Sequence, residues 1–356
     1  MRDSVARSNR PIDSTDPKLH ALTPILFGAA AFQYLNAGCE LGLFDLLARQ
    51  PGLRKEEIGK ELGLHARALD ILLLGVTSLK LVDKSGNTYR NCDAIEQMWH
   101  GGSWADFQAV VAFEQHVVYE GQVDFTASLR ANSNVGLRRV RGTGRDLYHR
   151  LSENPDLERV FYNYMRSWSE LSNPLLIKSV DFSQHKRLID AGGGDAVNAI
   201  ALAKAFPNLE ITVLEIAGTV PIARRRVADA GLVDRIQVVA CDMFHESFPT
   251  KHDCVLFSHQ LVIWTPQENI ALMRRAHDAL DPGGAIVVFS SISENDNSGP
   301  LMAALDSVYF AAIPAEGGMI YSYAQYEAWL LEAGFHDVMS QHIGVWTPHG
   351  IVQARK

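Results

Sequence analysis

One short segment constrains the fold of this chain more than any other. A strand-like run at residues 186–190 ends in the glycine-rich sequence 191–195 (Ala-Gly-Gly-Gly-Asp), and helix-forming residues follow at 199–206. Glycines at such a turn let the backbone approach a ligand closely, because no Cβ atom intrudes. A strand, a glycine-rich turn and a helix form the first unit of a nucleotide-binding α/β sheet. The segment therefore predicts an α/β domain with a ligand at the turn.

Carboxylates at the ends of three predicted strands suggest what that ligand is. Asp190 ends the first strand, where it can bind the ammonium of an amino-acid moiety through charge-assisted hydrogen bonds. Glu215 ends the second strand, about twenty residues past the glycines, a position that suits a ribose diol. Asp242 follows the third strand and can accept from an adenine amino group, with Met243 and Phe244 against the base. The glycine spacing is not that of a phosphate cradle.

Two further strand-like runs, 254–259 and 285–289, complete a series of five elements. Five such elements in order, with acids at three strand ends, indicate a nucleoside ligand. The predicted fold class is α/β, with a C-terminal Rossmann-like domain at residues 181–356.

The N-terminal half predicts a different architecture. Residues 1–18 have the composition of a disordered arm, residues 19–100 predict a winged-helix-like dimerisation domain, and residues 101–180 predict a helical linker or substrate cap. The second helix of the winged-helix pattern is apolar through residues 69–76, with only His65 and Arg67 before it. A groove-reading helix needs a basic face. The apolar run instead predicts burial against a second subunit, and so a homodimer.

Charge, cysteine spacing and hydropathy bear on the expected location and partners of the protein. The 356 residues carry a net charge of −8, and the four cysteines form no CxxC pair. The N-terminal residues lack the apolar core of a signal peptide, and no run approaches the roughly 20 apolar residues of a membrane span. We expect a soluble cytoplasmic protein with a small-molecule substrate, no nucleic-acid or membrane partner, and no metal site.

With these motifs together, the chain resembles class I S-adenosylmethionine (SAM)-dependent methyltransferases. Over nearly its whole length it is similar to the two-domain small-molecule O-methyltransferases of bacterial and plant specialised metabolism. The segments that carry the resemblance are Asp190–Gly194, Leu214–Ile216, Cys241–Phe244, Trp264, Asp281–Gly284, Gly317–Gly318 and Glu332–Phe335. The resemblance implies SAM as the cofactor and a mostly helical N-terminal winged-helix domain that forms the dimer and closes over the partner's pocket.

The resemblance also implies residue roles. The cofactor would contact Ser169, Asp190, Gly192, Gly193, Gly194, Glu215, Asp242, Met243, Phe244 and Ser258. The substrate would contact Phe161, Met165, Trp168, Val262 and Tyr309. Ser258 stands where the family often has a lysine that contacts SAM. For the aromatic residues, plain helix packing is the alternative.

One departure from the family bears on the reaction. The family's catalytic His belongs to a His-Asp-Trp triplet, which here is Val262–Trp264. Two further acids of the family fall at Ser290 and at Met319 or Ile320. The usual phenol-methylating group is therefore absent, which favours methylation at carbon, at an amine or at a carboxylate.

Other groups and other reactions remain open. His259 and Glu170 are the candidate bases, with Tyr309, Tyr321 and Tyr323 as weaker ones. A SAM-binding enzyme of non-methylating chemistry (hydroxylation, decarboxylation or a pericyclic reaction) is the first alternative. A ligand-responsive DNA-binding regulator is the second, and the apolar helix disfavours it.

Overall fold

The computed structural model describes residues 21–343 and 347–356, which form two compact units that meet in sequence between Val111 and Ala112. The predicted arm at residues 1–18 lies outside the described residues. The other domain boundaries inferred from the sequence stay predictions. None of the described helices combines the length and apolarity needed to span a bilayer.

The first unit is a helical domain with a small antiparallel sheet. Its described helices are α1 (Thr23–Leu26), α2 (Gly28–Glu40), α3 (Leu43–Arg49), α4 (Lys55–Leu62), α5 (Ala66–Ser78), α6 (Asp93–Gly101) and α7 (Trp104–Phe113), the last of which crosses into the second unit. Its strands are β1 (Leu53–Arg54), β2 (Val82–Ser85) and β3 (Thr88–Asn91), in the order β1-β3-β2. The two helices and the hairpin expected from the sequence are therefore present. Their identification as a winged helix stays a prediction.

The apolar run on α5 corrects one expectation. Leu69, Leu72, Leu73 and Val76, spaced as one helical face, are buried in the core of their own unit, beside residues such as Phe44. Among the apolar residues from 69 to 76, those that remain accessible are Ile71 (43% exposed) and Leu74 (68%). The prediction that the whole run awaits a partner subunit was wrong, because most of it forms the internal core.

The second unit is built on a seven-stranded sheet. Its strands are β4 (Arg187–Ala191), β5 (Glu210–Glu215), β6 (Ile236–Ala240), β7 (His252–Ser258), β8 (Leu280–Ser291), β9 (His336–His342) and β10 (His349–Arg355). The order is β6-β5-β4-β7-β8-β10-β9; the first five are parallel, and β10 pairs antiparallel with both β8 and β9. This is the predicted Rossmann-like α/β domain.

Successive side chains of the central strands point to opposite faces of the sheet, and apolar clusters cover both faces. Ile189 and Val255 belong to one hydrophobic cluster, whereas Leu188, Cys254 and Leu256 belong to the cluster on the other face. The described helices of this unit are α8 (Tyr119–Gly121), α9 (Phe125–Ala131), α10 (Leu147–Ser152), α11 (Pro155–Ser179), α12 (Val197–Ala205), α13 (Val220–Asp229), α14 (Pro266–Ala279), α15 (Leu301–Ala312) and α16 (Tyr323–Glu332).

The strand order places the ligand crevice. The connection from β4 runs to β5 on one side, whereas the connection from β7 runs to β8 on the other side, so the strand order reverses between β4 and β7. Ligands of open α/β sheets bind in the crevice at such a switch point. The glycine-rich turn follows β4 at this point, and the segment that carries His259 follows β7 beside it.

Candidate functional site

The turn after β4 has the close backbone approach that its glycines predict. Gly192 and Gly194 have φ angles of +69° and +59°, in the left-handed region that glycine adopts readily. At Gly193 an added Cβ atom would lie 2.6 Å from Asp190 Oδ2. The turn can therefore pass directly over the Asp190 carboxylate only because it carries no side chains.

Asp190 is the most unusual carboxylate of this crevice. Its side chain is 1% exposed, and neither carboxylate oxygen has a hydrogen-bond partner among the described residues. Burial, together with the neighbouring Glu215 carboxylate, raises the pKa of Asp190 to about 7. A buried acid without a partner is unfavourable unless a ligand supplies one. The position fits the ammonium of an amino-acid moiety.

Glu215 is held in place by the same turn. Its Oε2 accepts a hydrogen bond of 3.1 Å from the Gly194 amide, and its Oε1 accepts one of 3.0 Å from the Ile216 amide. Burial raises its pKa. Each oxygen keeps a second lone pair, so the carboxylate can still accept from the two hydroxyls of a ribose.

The segment after β6 forms a small, self-supporting turn. Asp242 is exposed and accepts from the Phe244 amide and from His245 Nδ1, both at 2.9 Å. The Phe244 ring lies edge-on to Trp264, with centroids 4.9 Å apart, and Met243 packs against the adjoining core. The aromatic and thioether groups therefore form an apolar wall, and Asp242 fixes the turn that presents it.

Further polar groups near the strand ends lack partners among the described residues. The hydroxyl of Ser258, at the end of β7, and both amide atoms of Asn173, on α11, are buried without a hydrogen bond. Ser169 lies one helical turn before Asn173 and is also buried. Asn173 was not predicted from the sequence. Together with Asp190 and Glu215, these donors and acceptors fit the amino-acid and ribose groups of SAM.

A second group of side chains lies around the segment that follows β7. His259 has a φ of +58°, and its Nε2 lies 3.2 Å from the Ser172 hydroxyl. Its ring is 4.9 Å from that of His349, which in turn lies 5.4 Å from Trp168. Burial lowers the pKa of His259 to about 4, so this imidazole is neutral at physiological pH.

No local sequence motif predicted that His349 would lie at this site. It is 2% exposed, and neither ring nitrogen has a hydrogen-bond partner among the described residues. It opens β10, and the antiparallel register places it opposite Ser291 at the end of β8. Burial, followed by the nearby His259, depresses its pKa well below the ordinary value. Only the long-range pairing of β10 with β8 brings it to the site.

Three of the predicted substrate contacts share one aromatic cluster. Phe161, Met165 and Tyr309 pack in the cluster that also contains Phe113, whose ring centroid is 6.1 Å from Phe161 and 5.2 Å from Tyr309. The Trp168 ring lies 6.1 Å from that of Tyr164, which packs against this cluster, and 5.4 Å from that of His349. We refer to the predicted substrate region between this aromatic cluster and the two histidines as the cleft.

The fifth predicted substrate contact, Val262, and the candidate base Glu170 lie elsewhere. Val262 is buried in a small separate cluster with Ala303 and Ile320. Phe310 packs against this cluster and against the aromatic one, which makes the two continuous. Glu170 lies on the exposed side of α11 and does not share the buried face of Ser169.

Two acidic residues that the sequence did not reveal are neighbours of residues in the aromatic cluster. Glu114 follows directly on Phe113, and Asp306 lies one helical turn before Tyr309 on α15. Burial, with a contribution from Asp306, raises the pKa of Glu114 to about 7, and burial raises that of Asp306 to about 7 as well. Among the described residues, no group of three or more His, Cys, Asp and Glu side chains is arranged to bind a metal ion.

Comparisons with known proteins place this site in context. Residues 124–336 match the O-methyltransferase domain family, and residues 24–95 match the O-methyltransferase dimerisation domain family. The L-tyrosine C(3)-methyltransferase of Streptomyces lavendulae is 56% identical over 340 residues, which are 95% of this chain and 93% of that protein. The acetylserotonin O-methyltransferase of Bos taurus is 27% identical and covers 89% of this chain and 92% of its own length.

Solved structures agree with the fold. The SAM-dependent methyltransferase SibL, in its apo form, superposes with a TM-score of 0.88 at 47% identity, covering 95% of this chain and 99% of that one. Human N-acetylserotonin methyltransferase in complex with SAM has a TM-score of 0.83 at 23% identity, covering 97% and 99% of the two chains.

Proposed function

Because this chain belongs to the O-methyltransferase family and is a SAM-dependent methyltransferase of small molecules, we propose that it methylates a ring carbon of a phenolic amino acid of the L-tyrosine class. The observation that carries the proposal is the 56% identity, over nearly the whole chain, to an L-tyrosine C(3)-methyltransferase. The non-methylating chemistry and the DNA-binding regulator considered from the sequence are not favoured by these relatives.

The predicted contacts assign the cofactor to the crevice beside the glycine-rich turn. Asp190 would bind the ammonium of the amino-acid group, Glu215 the ribose, and Met243 and Phe244 one wall of the adenine site. When bound, SAM supplies an electrophilic methyl group. The side chains of this enzyme must then orient the acceptor and remove a proton from it.

Methylation at carbon makes specific demands on the protein. The ring carbon next to a phenol oxygen becomes nucleophilic as the hydroxyl proton leaves, and the ring regains aromaticity when the proton on the methylated carbon leaves. The net reaction releases one proton from the acceptor. A proton acceptor near the phenol is therefore needed, although the family's His is replaced by Val262.

We assign that role to His259. It is neutral at physiological pH, it follows the strand end at the crevice, and its Nε2 is held by the Ser172 hydroxyl at 3.2 Å. A neutral imidazole can take up a proton beside a forming phenolate, because the ion pair stabilises the imidazolium. Glu170 is the other candidate, and its exposed position favours it less.

The proposal is tested with L-tyrosine in which all ring hydrogens are deuterium. Methylation at carbon expels one ring deuterium, whereas methylation at oxygen or nitrogen retains them all, so mass spectrometry of the product distinguishes the sites. Replacement of His259 by Asn should lower kcat by about 100-fold or more, the usual contribution of a positioned base. Glu170→Gln is the matched variant and should retain turnover. A product that keeps every ring deuterium would exclude carbon methylation.

We further propose that the enzyme is a homodimer that associates through the start of its first unit. The match to a dimerisation domain supports this, and Ile25, Leu26 and Phe27 on α1 and its C-cap are 59–76% exposed. Contiguous apolar side chains of this kind mark association surfaces. Leu26→Asp should convert the dimer to monomer in light scattering, whereas Val233→Asp, at an equally apolar but isolated exposed site, should not. A wild-type monomer at micromolar concentration would refute the proposal.

The cytoplasmic location, the role in specialised metabolism and the lack of a nucleic-acid partner remain predictions. The Streptomyces relative is named for a modified aromatic amino acid, which is compatible with a biosynthetic role for this enzyme.

A further inference from the structure

The carboxyl groups of Glu114 and Asp306 lie around one aromatic enclosure. The Phe113 ring stacks on Tyr164, with centroids 3.7 Å apart, and meets the Tyr309 ring edge-on at 5.2 Å. Glu114 follows Phe113 and opens a π-helical turn, Glu114–Val118, a local geometry that is common at functional sites. Burial raises the pKa of Tyr164 and that of Tyr309, and the charges of both acids add to the rise.

No cationic side chain in residues 21–343 or 347–356 neutralises these acids. Among the described residues, neither Glu114 nor Asp306 forms an ion pair with a Lys, Arg or His side chain. Asp306 accepts one hydrogen bond of 3.3 Å from the Ser291 hydroxyl, and no described group donates a hydrogen bond to Glu114. Both side chains are half-buried, so neither is fully sealed from solvent.

A third polar group points to the same ligand position. Tyr309 is 7% exposed, yet its hydroxyl makes no hydrogen bond within the described part of the chain. The hydroxyl is therefore available to a ligand. After burial, the groups that raise the pKa of this hydroxyl are Tyr148, Tyr164, Asp306 and Glu114.

The chemistry of the enclosure selects a cation. Two carboxylates in an apolar setting repel each other, and each destabilises the charged form of the other. An organic ammonium offers several N–H donors, can bridge both acids and the tyrosine hydroxyl, and is also attracted by aromatic faces. An anion would be repelled, and a neutral ligand would leave the charges unpaired.

We propose that Glu114 and Asp306, with Tyr309, bind the ammonium group of an amino-acid substrate and so make the enzyme specific for amine-bearing phenols. This inference rests on the proposed function, since it names the substrate class of the same cleft. The two roles are separate: His259 accepts the proton from the phenol, and Glu114 and Asp306 bind the ammonium at the opposite end of the substrate.

The competing role for these acids is that of the general base, and substrate analogues separate the two. L-Tyrosine and tyramine carry the amine, whereas desaminotyrosine carries the same phenol without it. An ammonium site predicts that L-tyrosine and tyramine bind at least about 30-fold more tightly than desaminotyrosine, because an unfilled buried charge site is left behind by the deaminated analogue. A general base would treat the three phenols alike.

Isosteric variants assign the effect to the two acids. Asp306→Asn and Glu114→Gln should each raise KM for L-tyrosine and tyramine by about 30-fold or more, with kcat changed much less. Turnover or binding of desaminotyrosine should be unchanged or improved. Asp278→Asn, which removes an acid that is 85% exposed, is the control. A fall in kcat of similar size for all three phenols would overturn the proposal.

A measurement on the wild-type enzyme tests the proposal even if the variants do not fold. With both pKa values about 7, the pair holds on average about one proton between its two carboxyl groups at pH 7. An ammonium ligand should displace it, so calorimetry of tyramine in buffers of different ionisation enthalpy should show release of up to about one proton per ligand. Binding of tyramine without proton release at this pH would also overturn the proposal.

The outcomes distinguish this inference from the proposed function. If tyramine and L-tyrosine bind through the acids but no ring deuterium is lost, the ammonium site stands and carbon methylation fails. If L-tyrosine is methylated on the ring but Asp306→Asn leaves the preference for amine-bearing phenols intact, carbon methylation stands and the ammonium site fails.

Discussion

Replacement of Asp190 by Asn should stabilise the ligand-free protein while it weakens cofactor binding. Asp190 is 1% exposed without a hydrogen-bond partner, and its pKa is about 7, compared with 3.8 for an unperturbed aspartate. Between these values the folded protein holds a proton that the unfolded chain has lost. The free energy of unfolding therefore falls as the pH rises from about 4 to about 7, and the loss is complete above that range.

The size of the effect follows from the shift. About three pKa units at ~1.4 kcal/mol each correspond to about 4 kcal/mol, an upper bound because water that enters the crevice stabilises the ionised form. Asn removes this penalty, so we expect the variant to be about 1–4 kcal/mol more stable at pH 8, and equal to wild type near pH 4. Loss of a hydrogen bond to a charged group should weaken SAM binding by roughly 10–100-fold.

Chemical unfolding at the two pH values and calorimetric titration with SAM measure the two effects separately. Asp234→Asn, at an exposed carboxylate of the same unit, should change neither quantity. A variant of Asp190 that is less stable than wild type at pH 8 without ligand would refute the argument from burial. Unchanged SAM affinity would remove Asp190 from the cofactor site.

Two further predictions concern the turn and the core. Gly193→Ala should abolish measurable SAM binding in calorimetry, because its Cβ atom would lie 2.6 Å from Asp190 Oδ2 and force the turn or the carboxylate to move, while circular dichroism should show a retained fold. Tyr321→Phe should lower the free energy of unfolding in urea by about 1–3 kcal/mol, because its hydroxyl shares one proton between the backbone carbonyls of Trp264 and Gly317, at 2.6 and 3.0 Å. Tyr162→Phe, at a side chain that is 53% exposed, should have little effect, and equal losses in both would contradict the assignment.

The cofactor crevice could be predicted because its signals are local. The glycines that follow β4 and the acid that ends β5 are each adjacent to the strand that positions them, and parallel strands bring their carboxyl ends to one edge. Once the strands are predicted, the residues that follow each strand directly can be placed at the carboxyl edge of the sheet. The same locality explains why the helices and hairpin at residues 55–91 were found in the expected order.

The substrate cleft could not be predicted in the same way. Glu114, Asp306 and His349 come from three elements far apart in sequence, and only tertiary packing brings them to one cleft. None of them belongs to a local sequence motif, because each element contributes only one side chain. The apolar run on α5 shows a related limit: composition revealed that it is buried, but not that its own unit supplies the cover.

The position of β10 has a consequence for folding. β9 precedes β10 in the chain but joins the sheet only through it, since β10 pairs with β8 on one side and β9 on the other. Until β10 inserts, β8 is an open edge and β9 has no partner, a state prone to pairing with other chains. The same insertion brings His349 opposite Ser291 and so into the cleft. Closure of the sheet and the placement of His349 therefore depend on the same strand pairing, so a change that weakens the pairing of β10 with β8 also affects the position of His349.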